Sequence, residues 1–388
     1  MTNTLEQPNK PELFDDEFPL DESLAYLNHA AVGVWPRRTA EAVKAFAEEN
    51  MRRGAAGYPA WMRIEQELRR QLARLIHAPS EHDVALLKNT SEGLSLIAMG
   101  LDWQAGDNIV STRSEFPSNR MVWEVLQAQG VELRLVDVEN EADAEAALIA
   151  RMDERTRLLT VSSVQFASGF RLHLDQLGQA CRQNGTLFCI DAIQSLGALR
   201  FDAQLYQADF VVADGHKWLL GPEGLALFYS TPAARDQLQL LQYGWHMVEY
   251  PGDFDSKQWK PAQSARRFEP GSPNQVGIQA LHASLSLFEE VGMQRVESLV
   301  LDRTSKLRQW IQEDDRLHLT SSSDPARYSG IVSFRMRGLD AAGHATLYRD
   351  LMANGVICAL RAGSIRLSPH FYTSGEGISY LKDTLFRI

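Results

Sequence analysis

Three stretches of the sequence place chemically useful side chains directly after apolar runs. In "ADGHKWLLGPEG" (213–224), Lys217 follows the apolar run "ADFVVA" and precedes a glycine-containing turn. A lysine amine that loses its water and lies near other cations has a lowered pKa, so it serves as a nucleophile and a base. In "FCIDAIQSLGA" (188–198), Asp191 ends an apolar run, where a carboxylate is costly to bury unless it is paired. Taken singly, a solvated lysine and a turn-capping aspartate explain the two residues as well.

The third stretch, "KNTSEGLSLIAMGL" (88–101), predicts the start of a helix just past a strand. Asn89 caps this helix, and Glu92, three residues later, reaches back in a capping box. The amides and hydroxyls of Thr90 and Ser91 then lie at the helix N-terminus, where an anion binds favourably. A plain capped helix is the alternative.

Together, an anion cradle, an aspartate and a lysine follow strands of one sheet. This set suits pyridoxal phosphate: the cradle holds the phosphate, and the aspartate keeps the pyridine nitrogen protonated. The lysine forms a Schiff base with the cofactor and later moves protons at the Cα atom of the substrate. We therefore expect a pyridoxal phosphate site.

The elements that position these residues are short β-branched runs, which alternate with amphipathic stretches such as 118–130 and 174–185. Gly130 and Gly185 are typical of helix C-caps. Repeated βα units predict a mainly parallel sheet with helices on both faces, and ligands of such sheets bind outside the carboxyl ends of the strands. Strands are predicted at 83–88, 107–112, 131–136, 157–164, 186–191, 208–213 and 225–229.

The pattern of the residues after 229 predicts a second, smaller structural unit. Residues 230–272 are turn-rich, and two amphipathic helices follow at 275–292 and 295–313, before a segment of α+β character. The fold class is therefore α/β: a large domain (28–272) with a mainly parallel seven-stranded sheet between helices. A smaller α+β C-terminal domain is formed by 1–27 and 273–388.

Composition excludes several classes of function. The chain has 388 residues, of which 44% are hydrophobic and 23% charged, as in soluble globular proteins. Its net charge of -11 argues against a nucleic-acid partner. Cys181, Cys189 and Cys358 show no disulfide framework and no metal-ligand spacing, so we predict no metal, and we interpret Cys189 and Cys358 as core residues. A polar N-terminus and the lack of long apolar runs predict a cytoplasmic protein without membrane contact.

The chain resembles the fold-type I pyridoxal phosphate enzymes of the class V aminotransferase family, which includes cysteine desulfurases and isopenicillin N epimerase. The resemblance extends from "YLNHAAVG" (26–33) to "SIRLSPHFYTS" (364–374), and the spacing of "DAIQSLGA" and "DGHKWLLGPEG" is its most specific part. It implies the transferase fold of pyridoxal phosphate enzymes and a homodimer with shared active sites.

The resemblance also implies a role for each matching residue of the cofactor site. Lys217 binds the cofactor covalently, Asp191 pairs with the pyridine nitrogen, and Gln194 hydrogen-bonds the phenolic oxygen. Phe116 stacks on the ring face, where many relatives have a histidine. The remaining residues hold the phosphate: Thr90, Ser91 and His216 from the same chain, and Ser272 from the neighbouring subunit.

For the substrate, Arg366 matches the arginine that binds the α-carboxylate in a bidentate manner. Gln165, with Ser163, is expected to face the ligand. Asn28 and His29 are expected to line the entrance, where His29 is either a second acid or base or a satisfied loop histidine.

Two positions depart from the desulfurase pattern. Asp214 replaces the usual serine two residues before the His-Lys pair, and because an anion repels phosphate, we expect it to orient His216 or a backbone group. Desulfurases also present a cysteine on a loop before the substrate arginine, whereas "CALRAGSIRLS" leaves almost no loop between Cys358 and Arg366. A persulfide-forming cysteine must be exposed, mobile and acidic, so we predict no such cysteine here.

Transamination of a small α-amino acid, with a keto acid as acceptor, is the first hypothesis, because the proton transfer it requires needs only Lys217 and Asp191. β-Elimination or another lyase reaction is the main alternative, and epimerisation lacks a clear second base. A pyridoxal phosphate-binding protein without turnover, and a nucleotide-binding α/β protein, are less consistent with the motifs.

Overall fold

The computed structural model describes residues 16–255 and 257–387. The strands are β1 (Ala25–Tyr26), β2 (Val84–Leu87), β3 (Asn108–Thr112), β4 (Glu132–Val136), β5 (Thr156–Ser162), β6 (Leu187–Asp191), β7 (Phe210–Asp214), β8 (Ala226–Ser230), β9 (Leu317–Leu319), β10 (Val332–Met336), β11 (Val356–Ile357), β12 (Ala359–Arg361) and β13 (Ser364–Leu367). The α-helices are α1 (Arg37–Arg53), α2 (Tyr58–Leu75), α3 (Thr90–Gly100), α4 (Ser118–Glu124), α5 (Ala144–Ile149), α6 (Leu174–Asn184), α7 (Pro232–Arg235), α8 (Gln275–Val291), α9 (Met293–Glu313), α10 (Ala341–Ala353) and α11 (Gly375–Arg387).

The central sheet has seven strands in the order β2-β8-β7-β6-β5-β3-β4. Strand β8 runs antiparallel to both of its neighbours, β2 and β7, whereas the other neighbouring strands are parallel. Each of the seven strands overlaps a segment predicted from the sequence. The prediction of a mainly parallel seven-stranded sheet is therefore confirmed, and its parallel strands end at a common edge.

Apart from the edge strand β4, the sheet is buried on both faces, because residues alternate between two apolar layers along the strands. On β6, Phe188 and Ile190 belong to one layer, and Cys189 belongs to the other. Cys189 is thus a core residue, as predicted. Burial raises the pKa of its thiol, so the thiol stays protonated.

Two predicted helix ends are confirmed by the backbone. Gly130 and Gly185 adopt φ angles of 81° and 72°, the left-handed conformation that ends helices at glycine. The segment before Gly130 is less regular than predicted, since α4 passes into a 3-10 turn at Val125–Gln129.

The C-terminal part forms a four-stranded antiparallel sheet in the order β12-β13-β10-β9, and β1 pairs in parallel with β11. This smaller α+β part completes the predicted fold class. The boundaries at residues 27/28 and 272/273 stay a prediction, and residues 1–15 of the predicted small domain lie outside the described residues. None of the helices in the described part of the chain is long and apolar enough to cross a membrane.

Candidate active site

A cavity of about 300 Å³ opens at the carboxyl edge of the central sheet. It receives side chains from the segments that follow β2, β3, β5, β6 and β7, and from the hairpin of β12 and β13. Its lining residues are Ala30, Ala31, Asn89, Thr90, Ser91, Phe116, Ser118, Phe166, Asp191, Ile193, Gln194, Asp214, His216, Lys217, Arg361 and Arg366.

The turn that bears Lys217 is held by close backbone contacts with glycines. A Cβ atom on Gly33 would meet the carbonyl oxygen of Lys217, and one on Gly197 would lie 2.5 Å from the carbonyl carbon of Trp218. A Cβ on Gly330 would lie 2.8 Å from Cζ3 of the Trp218 indole. Real Cβ contacts are essentially never shorter than 3.0 Å. Only glycine therefore allows this packing, which fixes the backbone of Lys217.

The Lys217 side chain is 8% exposed and lies at the cavity. Burial lowers the pKa of its amine, the Asp191 carboxylate opposes this change, and the positive charge of Arg366 adds to it. More of the amine is consequently neutral than in a solvated lysine, and the neutral amine is the form that attacks a carbonyl. Its Nζ atom lies 5.4 Å from the centre of the Phe116 ring.

Asp191 ends β6 and is 1% exposed. Its Oδ1 atom accepts a hydrogen bond of 3.0 Å from the backbone N–H of Ile193. Burial raises the pKa of this carboxyl group, while the backbone bond lowers it. A buried carboxylate that lines a cavity and has no ion-pair partner among the described residues fits a protonated ring nitrogen.

The N-terminus of α3 is capped much as the sequence predicts. Oδ1 of Asn89 accepts a hydrogen bond of 2.9 Å from the N–H of Glu92. The Glu92 carboxylate, however, accepts from the N–H of Lys88, at 2.6 Å, instead of that of Asn89. The capping box is therefore displaced by one residue, and the first residues of the helix, Thr90 and Ser91, still line the cavity.

Polar groups beside this helix end fit a phosphate. The Thr90 hydroxyl oxygen is buried and has no hydrogen-bond partner among the described residues, and the Ser91 hydroxyl donates to that of Ser118 at 2.7 Å. Nδ1 of His216 lies 2.7 Å from a carboxylate oxygen of Asp214. This contact matches the orienting role expected for Asp214, and it leaves the other ring nitrogen of His216 for a ligand in the cavity.

Gln194 has a defined amide orientation. The indole N–H of Trp218 donates to Oε1 of Gln194 at 2.9 Å, and Nε2 of Gln194 donates to the carbonyl oxygen of Ala30 at 3.0 Å. Because an indole nitrogen only donates, these two bonds determine which end of the amide is nitrogen. One amide N–H remains for a ligand in the cavity, as a phenolic oxygen requires.

Arg366 projects into the cavity from β13, although it is almost completely buried. Nη1 donates to the carbonyl oxygen of Phe166 at 2.7 Å, whereas Nε and Nη2 have no partner among the described residues. Burial, and next the positive charge of Arg361, lower the pKa of Arg366. Two unsatisfied N–H groups on one guanidinium form a fork that fits a carboxylate.

The family model of class-V aminotransferases matches residues 25–381. The chain belongs to this family. A probable cysteine desulfurase of Methanothermobacter thermautotrophicus is 28% identical over 391 residues, which cover 96% of each chain. Among solved structures, the apo cysteine desulfurase of Thermococcus onnurineus superposes with a TM-score of 0.87 at 23% identity, covering 98% of this chain and 99% of that one. A C-DES mutant with glycine covalently linked to its PLP cofactor superposes equally well (TM-score 0.87, 23% identity, 95% and 98% covered).

Pyridoxal phosphate is the cofactor of this class-V enzyme. The residues present fit it: an unpartnered buried hydroxyl at the helix end, a buried carboxylate, a buried lysine and a free amide N–H surround one cavity. Eight of the residues expected to bind the cofactor or the substrate line this cavity: Thr90, Ser91, Phe116, Asp191, Gln194, His216, Lys217 and Arg366.

Four residues expected at the substrate do not line the cavity: Asn28, His29, Ser163 and Gln165. The contacts correct two expectations, the one for His29 and the one for the segment that bears Ser163 and Gln165. Both ring nitrogens of His29 are engaged, by the carbonyl oxygen of Ser368 at 2.8 Å and the Tyr372 hydroxyl at 2.6 Å. His29 is fully buried, which lowers its pKa to about 4, so it is a structural histidine and not an acid at the entrance. Nε2 of Gln165 donates to Glu115 at 3.2 Å, and Gln165 does not line the cavity. Asn28 is half-buried and bridges to the strand end at Ser368.

The irregular segment after β5 explains the second correction. Ser163 bonds to the Ser195 hydroxyl at 2.7 Å, and Phe166, which the sequence did not single out, lines the cavity instead. The Phe166 ring meets the Phe116 ring edge to face, with centroids 5.3 Å apart. Alternation along a strand predicts side-chain direction, but it stops where the strand ends.

Ser272 is exposed and lines a different cavity, together with Lys88 and Asn274. It therefore adds nothing to the cavity of its own chain. Arg361 was also missed by sequence reasoning, although it lies only five residues before Arg366. Its position in "LRAGSIR", on the other strand of a short hairpin, was the available signal.

Proposed function

We propose that this enzyme catalyses β-elimination on a small α-amino acid that carries a leaving group, such as sulfur, on Cβ. The sequence favoured transamination, with elimination as the main alternative. Cysteine desulfurases, after which the curated relative is named, break a Cβ–S bond, and this favours the alternative. No keto-acid acceptor is then needed.

One observation carries the choice between elimination and a desulfurase mechanism: no thiol lines the cavity. All three cysteines of the chain are buried, and Cys358 is 1% exposed within the apolar core of the small sheet. Burial raises the pKa of the Cys358 thiol to about 12, so it is protonated at neutral pH. Only Ala362 and Gly363 join β12 to β13, so the hairpin has no loop that could carry a sulfur acceptor. The leaving group therefore departs to solvent.

Each of three residues of the cavity has a separate role in this reaction. Arg366 binds the α-carboxylate with its unpartnered Nε and Nη2 atoms, which orients the Cα–H bond toward the buried amine of Lys217. Lys217 takes the Cα proton, and Asp191 keeps a positive charge on the ring nitrogen. When bound, pyridoxal phosphate supplies an electron sink that stabilises the negative charge left at Cα.

The reaction balances without an oxidant. The Cα–H and Cβ–X bonds break, the group X leaves with its electron pair, and one water molecule converts the released enamine to a 2-keto acid and ammonia. Because His29 is buried away from the cavity, X receives its proton from Lys217 or from solvent. Epimerisation, for which the sequence shows no clear second base, gains none from His29, because this histidine is fully buried away from the cavity.

The test is a spectral and product assay of the holoenzyme with single amino acids, including L-cysteine, and no keto acid. We expect keto acid and ammonia to accumulate over many turnovers, with the visible absorption of the cofactor retained. Lys217→Ala is the inactive control. If one amino acid instead bleaches the absorption in a single turnover, and a keto acid restores it, the enzyme is a transaminase and the proposal is wrong. Retention of the absorption with no accumulation of keto acid or ammonia would favour a protein that binds the cofactor without turnover.

We also propose a homodimer in which Ser272 reaches the phosphate site of the partner. Support comes from the exposed position of Ser272 and from an exposed aromatic segment nearby in sequence, with Tyr243, Tyr250, Phe254 and Trp259. Exposed aromatic groups of this kind favour association.

Mixing two inactive variants tests the shared site. In a mixed dimer of Lys217→Ala and Ser272→Arg chains, one of the two sites contains only native residues. If the variants exchange at random, we expect about a quarter of the native activity to return. If neither mixing nor refolding the two together restores activity, Ser272 does not act across the interface.

A further inference from the structure

Two guanidinium groups enter the cavity from one face of the β12–β13 hairpin. Ala359 pairs with Arg366, and Arg361 lies two residues after Ala359 on the same strand. Residues that are directly opposite or two apart share a face of the sheet, so Arg361 and Arg366 project from the same face.

The hairpin is built to hold this arrangement rigidly. Ala362 and Gly363 have φ angles of 45° and 74°, as in the two-residue turns with left-handed backbone that close tight hairpins. From β10, Arg335 donates to the carbonyl oxygen of Ala362 at 2.8 Å and to the Ser364 hydroxyl at 3.1 Å. The backbone positions from which the two arginines project are therefore set before any ligand arrives.

Arg361 has no anion to neutralise it. Its guanidinium donates only to the neighbouring carbonyl oxygen of Leu360, at 2.9 Å, and forms no ion pair among residues 16–255 and 257–387. The acidic side chains that line the cavity are Asp191, which faces the ring-nitrogen position, and Asp214, which contacts His216. A half-buried guanidinium without a counter-ion is unfavourable, and a ligand that supplies one gains binding energy.

We propose that Arg361 binds a second acidic group, carried on the substrate side chain, so that the site selects dianionic amino acids. The inference rests on the proposed function in one respect, which is that Arg366 holds the α-carboxylate. Carboxylate, sulfonate and phosphate groups all present the paired oxygens that a guanidinium fork binds. The preferred substrate therefore bears such a group on, or as part of, the substituent at Cβ.

Binding of unreactive analogues tests this without turnover. Succinate and butyrate have the same four-carbon length and differ by one carboxylate, so titrating holoenzyme with each isolates the second charge. We expect succinate to bind roughly 10- to 100-fold more tightly than butyrate, as a charged hydrogen-bonded contact implies. 3-Sulfopropionate, compared with butyrate in the same way, distinguishes a site for sulfonates from one for carboxylates.

Arginine variants assign the effect. Arg361→Gln should abolish the preference for succinate, and Arg361→Lys should keep part of it, because the charge remains and the fork is lost. Arg349→Gln is the matched control, since Arg349 is exposed on α10 and, within the part of the chain that the structure describes, bonds only to the Thr346 hydroxyl at 2.9 Å. It should leave both affinities unchanged.

Two results would overturn the inference. One is equal affinity of the native holoenzyme for all three analogues. The other is a preference for succinate that survives in Arg361→Gln while the affinity for pyridoxal phosphate falls, which would assign Arg361 to the cofactor. Neither result depends on which product the enzyme releases, so failure of the proposed elimination is detected separately by the product assay.

Discussion

Replacing Gly197 by alanine tests whether the close backbone packing around Lys217 matters for the cofactor site. Gly197 has a φ angle of 93°, and an added Cβ would lie 2.5 Å from the carbonyl carbon of Trp218. Gly338 is the matched control, because its φ angle is 81° and no atom lies within 4 Å of the added Cβ. Both substitutions put alanine into left-handed backbone, but only the first also forces two segments apart.

The two costs can be estimated separately. Left-handed backbone costs alanine about 1–2 kcal/mol, and this applies to both variants. In Gly197→Ala, the Trp218 carbonyl must also retreat from 2.5 Å to beyond 3.0 Å. Overpacking of this kind costs about 1–3 kcal/mol, and the displaced carbonyl also loses the hydrogen bond that it accepts from Nε2 of His370 at 2.9 Å. We therefore expect Gly197→Ala to be destabilised by about 2–4 kcal/mol more than Gly338→Ala.

Thermal unfolding measures the stability difference, and the visible absorption of the bound cofactor measures the site. Since a displacement of about 1 Å at a catalytic group reduces turnover by about 100-fold, Gly197→Ala should also lose most of its activity. Gly338→Ala should retain full cofactor content and activity. Equal losses of stability and activity in the two variants would refute the role assigned to the glycine contact.

Three further predictions concern charge. Because burial lowers the pKa of Lys217, the rate at which the apoprotein binds pyridoxal phosphate should reach its plateau below pH 10.5, the ordinary pKa of lysine. Asp191→Asn removes an anion that raises this pKa, so the midpoint of the pH–rate curve should move further down. Stopped-flow absorbance over a pH series checks both, and an unchanged midpoint in Asp191→Asn would contradict the electrostatic effect of Asp191 on Lys217. His29 has a pKa of about 4 in the folded protein, against 6.5 in the unfolded chain. As the pH falls from 6.5 to 4, the unfolded chain therefore binds a proton that the folded protein does not. The free energy of unfolding should drop by about 3 kcal/mol over this pH range. Urea midpoints at pH 7 and pH 5 should show a smaller difference for His29→Gln than for the native protein, and identical differences would argue against a neutral buried His29. Arg366→Gln should raise KM by roughly 10- to 100-fold and leave the cofactor absorption unchanged; a bleached cofactor would indicate a role in cofactor binding instead.

The central sheet was predictable from the sequence because its strands are buried on both faces and therefore appear as short apolar runs. The positions of Asp191 and Lys217 followed from the same pattern, since parallel strands deliver their carboxyl ends to one edge. The lack of a loop between Cys358 and Arg366 was equally visible in the sequence, because these two residues are only eight positions apart. In the structure, two residues connect the strands β12 and β13, and they leave no room for a loop that carries a cysteine.

Side-chain direction outside the strands was not predictable. His29 and Gln165 lie in irregular segments, where no periodicity determines which way a side chain points, and each is engaged by a buried partner that is distant in sequence. Arg361 was missed for a related reason: its place beside Arg366 depends on the register of a hairpin, which two left-handed residues determine.

The contacts around Lys217 also determine when the site can form during synthesis. The Trp218 carbonyl accepts its hydrogen bond from His370, which lies 152 residues further along the chain, and Gly330 contacts the indole from the same C-terminal part. A nascent chain that has completed the central sheet therefore still lacks the contacts that hold the lysine turn. Cofactor capture by the native turn must wait until His370 has left the ribosome.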